Sequence, residues 1–499
     1  MITLGIDSGT QSTKTVALDI ATGEILATAQ QAYGFVEAQG EGAMEQDPGV
    51  WIAAVEATIS QVLEKLGARR NEVSGIGVSG QQHGLVLLDG DNQVVRPAKL
   101  WCDTSTIGQC EELTVSLGGA ESVVSLIGNA MLTGYTAPKI LWVRQNEPQN
   151  WKKTASVLLP HDYINWWLTG SKSMEYGDAS GTALLDVRTR TWSEPVLDAV
   201  APGLATKLPP LRPSSEPAGT LRPELASAWN LTSSVTVSSG GGDNMMGAIG
   251  TGNVRQGVMT ASLGTSGTLY AFSNAPVVDP RGEVAAFCDS TGHWMPLACT
   301  MNVTLVTELT RKLLDDWSVK QFDNIAATVP VGSDGLLLLP YLAGERTPNL
   351  PRGSGVLHGI NTKNFTAPHL ARAAMEGVTL GLAYGLSRFQ SLGVNPTEIR
   401  ITGGGSNSPF WRQLCADVFG VSTVCLTSSE GAALGGAIQA AWSAGSDHSI
   451  EALHTLSNRL VLVDESTRCT PDANNYAIYK ELLERSNTLR SALSSAHLL

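Results

Sequence analysis

Apolar and polar positions follow two different periods along this chain. Ile2 to Ile6 is an apolar run. Asp7-Ser-Gly-Thr-Gln-Ser-Thr13 interrupts it with turn residues, and Thr15 to Leu18 is β-branched and apolar again, which predicts a hairpin. A second hairpin is predicted around Thr22-Gly23. The period then lengthens. Apolar residues recur at Ile52, Val55, Ile59, Val62, Leu63 and Leu66, behind Asp47 as a cap and Pro48 at the first helical position, so a helix is predicted from Asp47 to Leu66. The strand Val73 to Val78 follows and ends in Ser79-Gly80-Gln81-Gln82-His83-Gly84. Strands and helices continue to alternate, which favours an α/β class.

A similar opening returns past the middle of the chain. Val258 to Leu263 predicts a strand, Gly264-Thr-Ser-Gly267 a tight turn, and Thr268 to Phe272 a second strand. Glu398 to Thr402 runs into Gly403-Gly-Gly-Ser406 much as Val73 to Val78 runs into Ser79-Gly80. The echo suggests a duplicated domain around a central cleft. The glycine-dense stretch Gly240 to Gly257 reads as the hinge, with domains at residues 1–247 and 248–499, and the proline-bearing residues 200 to 223 read as a surface connection.

Composition narrows the class of ligand. The 499 residues carry 33 Lys and Arg against 46 Asp and Glu, a formal net charge of −13, which disfavours nucleic acid and anionic membranes as partners. Apolar runs such as Leu336 to Leu339 fall far short of the roughly 20 residues of a membrane span. The seven cysteines are scattered, with no CxxC pair, as expected of reduced thiols in the cytoplasm rather than a zinc site or a disulfide framework.

The chemistry sits in small-residue turns. Asp7-x-Gly9-Thr10 lies between two strands. It is either a polar hairpin turn or a nest whose N–H and hydroxyl groups hold phosphate oxygens, with Asp7 placed to hold Mg²⁺ through water. Gly264-Thr-Ser-Gly267 follows the same logic. The chain has no GxxxxGK[ST] loop and no strand–GxGxxG–helix fingerprint. In Gly240-Gly-Gly-Asp243-Asn244, Asp243 is either a cap for a helix at Asn244 to Ala248 or a carboxylate that accepts a hydroxyl proton during phosphoryl transfer. Gln81-Gln82-His83-Gly84 offers the fixed donors and acceptors that sugar hydroxyls need, although a lone His is more often a satisfied loop residue; Asp103 is equally two-sided. Gly403-Gly-Gly-Ser-Asn407, before an amphipathic helix at Pro409 to Phe419, leaves room for a base or ribose.

Taken in order, these motifs resemble the FGGY family of carbohydrate kinases. Gly134-Tyr-Thr-Ala-Pro-Lys139-Ile-Leu-Trp142-Val-Arg-Gln-Asn146 is similar to the first family signature. Gly355-Val-Leu-His-Gly-Ile360 with His369-Leu-Ala-Arg-Ala-Ala-Met-Glu376 is similar to the second, and the resemblance runs from about residue 2 to about residue 485. It implies a duplicated actin-like (ribonuclease H-like) ATPase fold, two domains with a central cleft, and a kinase using ATP and Mg²⁺. By the same resemblance Asp243 is the catalytic base, and Gln82, His83, Asp103 and Asn244 contact the sugar with it. Asp7 is the Mg²⁺-linked carboxylate. Gly9, Thr10, Gln11 and Ser12, with Gly264, Thr265 and Ser266, are the phosphate loops, and Gly404, Gly405 and Asn407 form the adenosine side. A base acting late in a metaphosphate-like transfer needs no large pKa elevation.

Within the family the chain is nearest to members that convert D-xylulose to D-xylulose 5-phosphate, through Gln81-Gln-His-Gly84 and Pro340-Tyr-Leu-Ala-Gly-Glu-Arg346-Thr-Pro348. It departs from them at Gln82, where many have Met, and at Ser105, where Arg is common. D-Ribulose, other pentuloses and gluconate are the alternative acceptors; gluconate is disfavoured because Ser79 to Leu85 holds no basic residue besides His83. A non-catalytic sugar or nucleotide sensor on the same fold is the remote alternative, and the retained base and phosphate loops speak against it. A homodimer is common among relatives. The terminal residues Ser486 to Leu499 read as a frayed helix end.

Overall fold

The computed structural model describes residues 1–37 and 40–499. The chain divides into two compact units. The first holds Met1–Arg255, Phe272–Met295 and Glu430–Val461; the second holds Gln256–Ala271, Pro296–Ser429 and Leu462–Leu499.

In the first unit the hairpin strands Ile2–Ser8 and Ser12–Asp19 pair antiparallel, with Asp7 opposite Lys14, and Ile25–Ala32 extends them. On its other side Ile2–Ser8 runs parallel to Val73–Gly80, which places Asp7 beside Ser79 at the carboxyl ends of both strands. The alternation of the first strand decides what each face carries. Ile2, Leu4 and Ile6 share a core with Trp51, Val55, Ile59, Val62 and Leu63 of the helix Pro48–Leu66. That helix starts as the sequence predicts: Asp47 accepts from the Gly49 amide at 2.9 Å and Pro48 takes the first position.

The opposite face of the same sheet is built for close approach. Thr3 Oγ1 donates to Ala437 O at 2.8 Å, and a Cβ on Gly5 or Gly77 would overlap the carbonyl oxygens of Ala433 and Gly436. Backbone therefore packs on backbone, and the helix Gly431–Ala444 lies directly on the strands. This late helix crosses Asp243–Gly250 in the same manner. A Cβ on Gly250 would overlap Gly431 O, and one on Gly435 would overlap Met246 O.

The compact units divide the chain differently from the expected domains at residues 1–247 and 248–499. The position between residues 247 and 248 lies inside the continuous helix Asp243–Gly250, and residues 430–461 belong with the first unit. Of the glycines read as a hinge, Gly250 packs against the crossing helix. Residues 200 to 223 are also more than a connection, since Leu211–Arg212 pairs with Met174–Glu175 and Gly219–Thr220 edges the main sheet.

The second unit repeats the opening of the first. Val258–Leu263 pairs antiparallel with Gly267–Ala271 and parallel with Glu398–Thr402, which in turn runs parallel to Ser422–Leu426. The duplication inferred from the motif echo is present in the strand order. The long helix Ala367–Ser391 is buried along most of its length. The second-signature residue Glu376 accepts from the Gly332 amide (3.0 Å), Ser333 Oγ (2.8 Å), Arg372 Nε (2.7 Å) and Tyr479 OH (2.8 Å). That knot ties the helix Ala473–Ser495 to the unit. The helix continues through Ser486 to Ser495, so only the last four residues lie beyond it.

Candidate active site

The turn after the first strand is braced from one side. Tyr33 OH donates to Gly9 O (2.7 Å), Gln46 Nε2 to Thr10 O (2.7 Å) and the Tyr33 amide to Gln11 O (3.0 Å). Because each peptide is planar and trans, holding these carbonyls turns the N–H groups of Thr10 and Gln11 the other way, as an anion nest requires. Trp101 Nε1 fixes the Thr10 hydroxyl at 2.9 Å, a role the sequence did not reveal.

Asp7 is half-buried at the strand end with Ser79 Oγ 3.1 Å from its Oδ1. Burial pushes its carboxyl up to about 6 against the opposing influence of Ser79 and Lys14. Asp243 opens its helix as the first residue, with Gly242 in the cap position. Its Oδ1 accepts from the amide of Asn244 at 2.8 Å and from Asn244 Nδ2 at 3.0 Å. Burial, and then the charge of Asp7, push Asp243 up to about 7. The elevation, which the role itself does not require, arises from desolvation and then from the neighbouring Asp7 charge, and only the folded chain brings these about. Both of these bonds fall on Oδ1 rather than Oδ2. The Gly240 peptide upstream is gripped on both sides by the buried Gln439, whose Oε1 accepts from Gly240 N (2.9 Å) and whose Nε2 donates to Gly240 O (3.1 Å). Thus the helix Gly431–Ala444 positions the loop that leads into Asp243.

Gln82 and Asn244, both expected at the sugar, hold each other: Asn244 Nδ2 donates to Gln82 Oε1 at 2.6 Å, and Gln82 Nε2 lies 3.1 Å from Met245 Sδ. Gln82 therefore orients Asn244, which orients Asp243. Removing the amide with Asn244→Ala is expected to lower kcat by about 10²-fold with little change in the KM for nucleotide, as steady-state kinetics would show. Near-normal kcat would mean that the base needs no such bracket.

Asp103 is placed differently from expectation. It is fully buried, and its oxygens accept from Met44 N (3.0 Å), Lys99 Nζ (3.1 Å), Ser105 N (3.0 Å) and Ser105 Oγ (2.6 Å). Its acceptor capacity is spent inside the protein, so it braces the fold under the site rather than presenting oxygens to a sugar. Ser105, at the other unusual position, completes this cluster through Lys99 Nζ at 2.9 Å, and the Lys99 ammonium lies 3.9 Å from the ring centre of Trp142 in the first signature.

In the second unit the turn Gly264–Ser266 is also tied back by its carbonyls: Thr304 N donates to Gly264 O (2.9 Å) and Val303 N to Thr265 O (3.1 Å). The helix that begins at Thr304 forms one wall of a cavity of about 930 Å³, with Thr307, Glu308 and Arg311. Gly404, Gly405 and Asn407 line it together with Phe410 and Trp411. Asp323 lines it too, from a helix the sequence reading had not singled out, and burial raises its carboxyl against a hydrogen bond with Ser408. In the Pro340–Pro348 motif, Glu345 accepts from Met301 N (2.7 Å), Asn302 Nδ2 (3.0 Å) and Arg346 N (2.8 Å), which shapes the loop.

Family profiles match this geometry at both halves. The N-terminal domain of the FGGY family of carbohydrate kinases matches residues 2–250 and its C-terminal domain residues 259–444. The chain belongs to the FGGY family of carbohydrate kinases. It is an ATP-dependent sugar kinase with the two-domain α/β fold of that family. Among curated relatives this FGGY kinase is 40% identical to the xylulose kinase of Haemophilus influenzae over 98% of this chain and 99% of that one. It is 35% identical to the xylulose kinase of Escherichia coli over 96% of each. Among solved structures it is similar to a xylulose kinase from Rhodospirillum rubrum (TM-score 0.91, 26% identity, 99% of both chains). It is equally similar to a gluconate kinase from Lactobacillus acidophilus (TM-score 0.91, 25% identity, 99% of this chain and 98% of that one). Among the described residues no helix of the kinase is long and apolar enough to cross a membrane.

Proposed function

We propose that this FGGY kinase phosphorylates D-xylulose to D-xylulose 5-phosphate, with Asp243 as general base. The observation that carries the reading is the state of Asp243: half-buried, bracketed through Oδ1 by Asn244, and raised to about 7, so that Oδ2 takes the acceptor hydroxyl's proton as the phosphoryl group departs from ATP. Gln82, His83 and Asn244 surround the sugar. Gly9–Ser12 and Gly264–Ser266 hold phosphate oxygens, and Gly404, Gly405 and Asn407 hold the adenosine.

The residues also fit a divalent cation. Asp7 and Asp243 are half-buried carboxylates raised in pKa, and Asp243 is raised in part by Asp7's charge, an arrangement a cation would relieve. No group of three or more His, Cys, Asp or Glu side chains among the described residues forms a metal cage. That suits Mg²⁺, which keeps its waters and leans on one or two carboxylates and the substrate phosphates. Asp7 would hold it, and when bound it offsets charge on the transferring phosphoryl group. Seven free cysteines suit a reducing compartment and support a cytoplasmic enzyme.

The likeness to a gluconate kinase keeps a second acceptor in view. A carboxylate substrate would need a cation, and the two buried lysines near this pocket are already engaged. Lys139 bonds the carbonyls of His83 and Gly134, and Lys99 pairs with Glu45 and Asp103. A neutral ketose fits better. An ADP-release assay with ATP and Mg²⁺ against D-xylulose, D-ribulose, L-ribulose, L-xylulose, gluconate and glycerol tests this. The highest kcat/KM is expected on D-xylulose; preference for gluconate would overturn the assignment of the acceptor, and no sugar-dependent turnover would overturn the kinase reading.

A further inference from the structure

Beside Gln82 lies a buried chain of ionisable groups for which proton transfer to Asp243 has no use. His161 is wholly buried between two carboxylates, with Nδ1 2.9 Å from Asp178 Oδ2 and Nε2 3.0 Å from Asp162 Oδ1. Nδ1 is hydrogen-bonded to Asp178, whereas Nε2 lies near Asp162 without an aligned hydrogen bond; the two acids outweigh the burial that opposes the ring's charge, hold its pKa well above the ordinary value and so favour the imidazolium. Asp178, also wholly buried, is kept ionised by that partner, down to about 2 despite desolvation. Its remaining oxygen, Oδ1, lies 3.3 Å from Nδ1 of His83. That approach is loose and not yet aligned, and a small ring rotation would tighten it once the other nitrogen is engaged.

The His83 ring has little other freedom. It sits edge-on to Tyr135 (centroids 5.2 Å apart) and tilted to Phe287 (5.3 Å), and it lies so close to Gly181 that a Cβ there would overlap the imidazole. Its backbone is in the left-handed region at φ +61°, held by Lys139 Nζ at 2.9 Å and Thr136 Oγ1 at 3.1 Å on its carbonyl oxygen. Charge completes the argument. Asp178 already serves His161 through Oδ2, so a second imidazolium at His83 would have to share that one carboxylate with His161.

We infer that Asp178, backed by the His161 imidazolium, holds the Nδ1 proton of a neutral His83 and so presents His83 Nε2 to the sugar as a hydrogen-bond acceptor. Asp178 and His161 are then positioning residues. The inference rests on the proposed sugar site and deepens it. With Nε2 of His83 and Oδ2 of Asp243 both accepting, the pocket selects a ligand that offers two hydroxyl donors and repels a carboxylate placed at His83.

The first test needs no substrate. Long-range ¹H–¹⁵N spectra of the histidine-labelled protein would be recorded across about pH 6 to 9, with the eight histidines resolved through His83→Gln and His161→Gln. His83 is expected with Nδ1 protonated and Nε2 bare, and His161 with both nitrogens protonated throughout. An Nε2–H tautomer or an imidazolium at His83, or a His161 that loses its proton within that range, overturns the proposal. The second test is kinetic. Asp178→Leu is expected to raise the KM for sugar about tenfold while the KM for ATP stays within about twofold. Asp178→Asn, which can accept from His83 and donate to His161, should recover most of that loss. Equal loss in both variants, or parallel change in both KM values, would reduce Asp178 to a packing role. Should the unaltered protein show no sugar-dependent turnover, the functional reading fails while the spectra still decide the tautomer.

Discussion

Asp243→Asn is expected to lower sugar-dependent turnover by about 10²- to 10⁴-fold and, at the same time, to make the ligand-free protein more resistant to heat above about pH 7. Both effects follow from one side chain. The amide keeps an oxygen for the bracket from Asn244 but cannot take a proton from the acceptor hydroxyl. The stability effect comes from the raised pKa. In the unfolded chain the carboxyl ionises near its usual 3.8, whereas in the fold burial and Asp7 hold the proton to about 7. An acid whose pKa is raised by folding favours the native state below its unfolded pKa, and that advantage is lost as pH rises through the window from about 4 to about 7. The neutral Asn escapes the cost of a buried charge on the alkaline side, so the two proteins should melt at similar temperatures near pH 4 and diverge by several degrees at pH 8. Measured without nucleotide and with a chelator present, thermal scans at the two pH values check the sign. Near-normal kcat would remove Asp243 from the role of base, and equal melting at pH 8 would mean that its charge is compensated by groups other than those facing it here.

Gly435→Ala is expected to cost about 3 kcal/mol or more, through overpacking with no side chain able to yield. The added methyl would meet the carbonyl oxygen of Met246 in the facing helix, and the backbone nitrogen of Gly250 at 2.9 Å. Neither can rotate away, so the helix Gly431–Ala444 must lift from Asp243–Gly250 or the sheet must shift. Because Gln439 on that helix grips both sides of the Gly240 peptide, activity should fall with stability. Gly90→Ala is the matched control. Nothing lies within 4 Å of its added methyl, and the change should stay within about 0.5 kcal/mol. Chemical denaturation of the two variants separates the cases, and comparable stabilities would show that the helix crossing is loose enough to absorb a methyl.

These glycines also show how far local reading reaches. Gly5, Gly77, Gly250 and Gly435 carry no periodic signal, and the run from Gly240 to Gly257 reads as a hinge because nothing in the neighbouring residues tells a flexible backbone from a closely packed one. Their partners lie far along the chain: the carbonyls that a Cβ on Gly5 or Gly77 would overlap belong to Ala433 and Gly436. Asp103 misled for a related reason. A carboxylate after a strand can face a ligand or an interior lysine, and the fully buried Lys99 that decides the matter is four residues away on the other side of a turn.

What the sequence determined by itself is local or repeated. The helix from Pro48 to Leu66 follows from its cap and its 3.6-residue stripe, and the strand–turn–strand openings at residues 2 and 258 follow from runs of β-branched residues around Gly, Ser and Thr. The residues proposed as base, phosphate turns and adenosine glycines could be singled out because each motif holds its candidate chemistry within a few consecutive residues. Tertiary structure alone decided which distant groups meet. It placed the charge of Asp7 where it raises Asp243, set Gln439 on the Gly240 peptide, and aligned Asp162, His161 and Asp178 behind His83. The physical reason is range. Hydrogen-bonded turns and amphipathic periods are properties of neighbouring residues, whereas desolvation, like-charge repulsion and backbone-to-backbone packing depend on what the rest of the chain brings into contact.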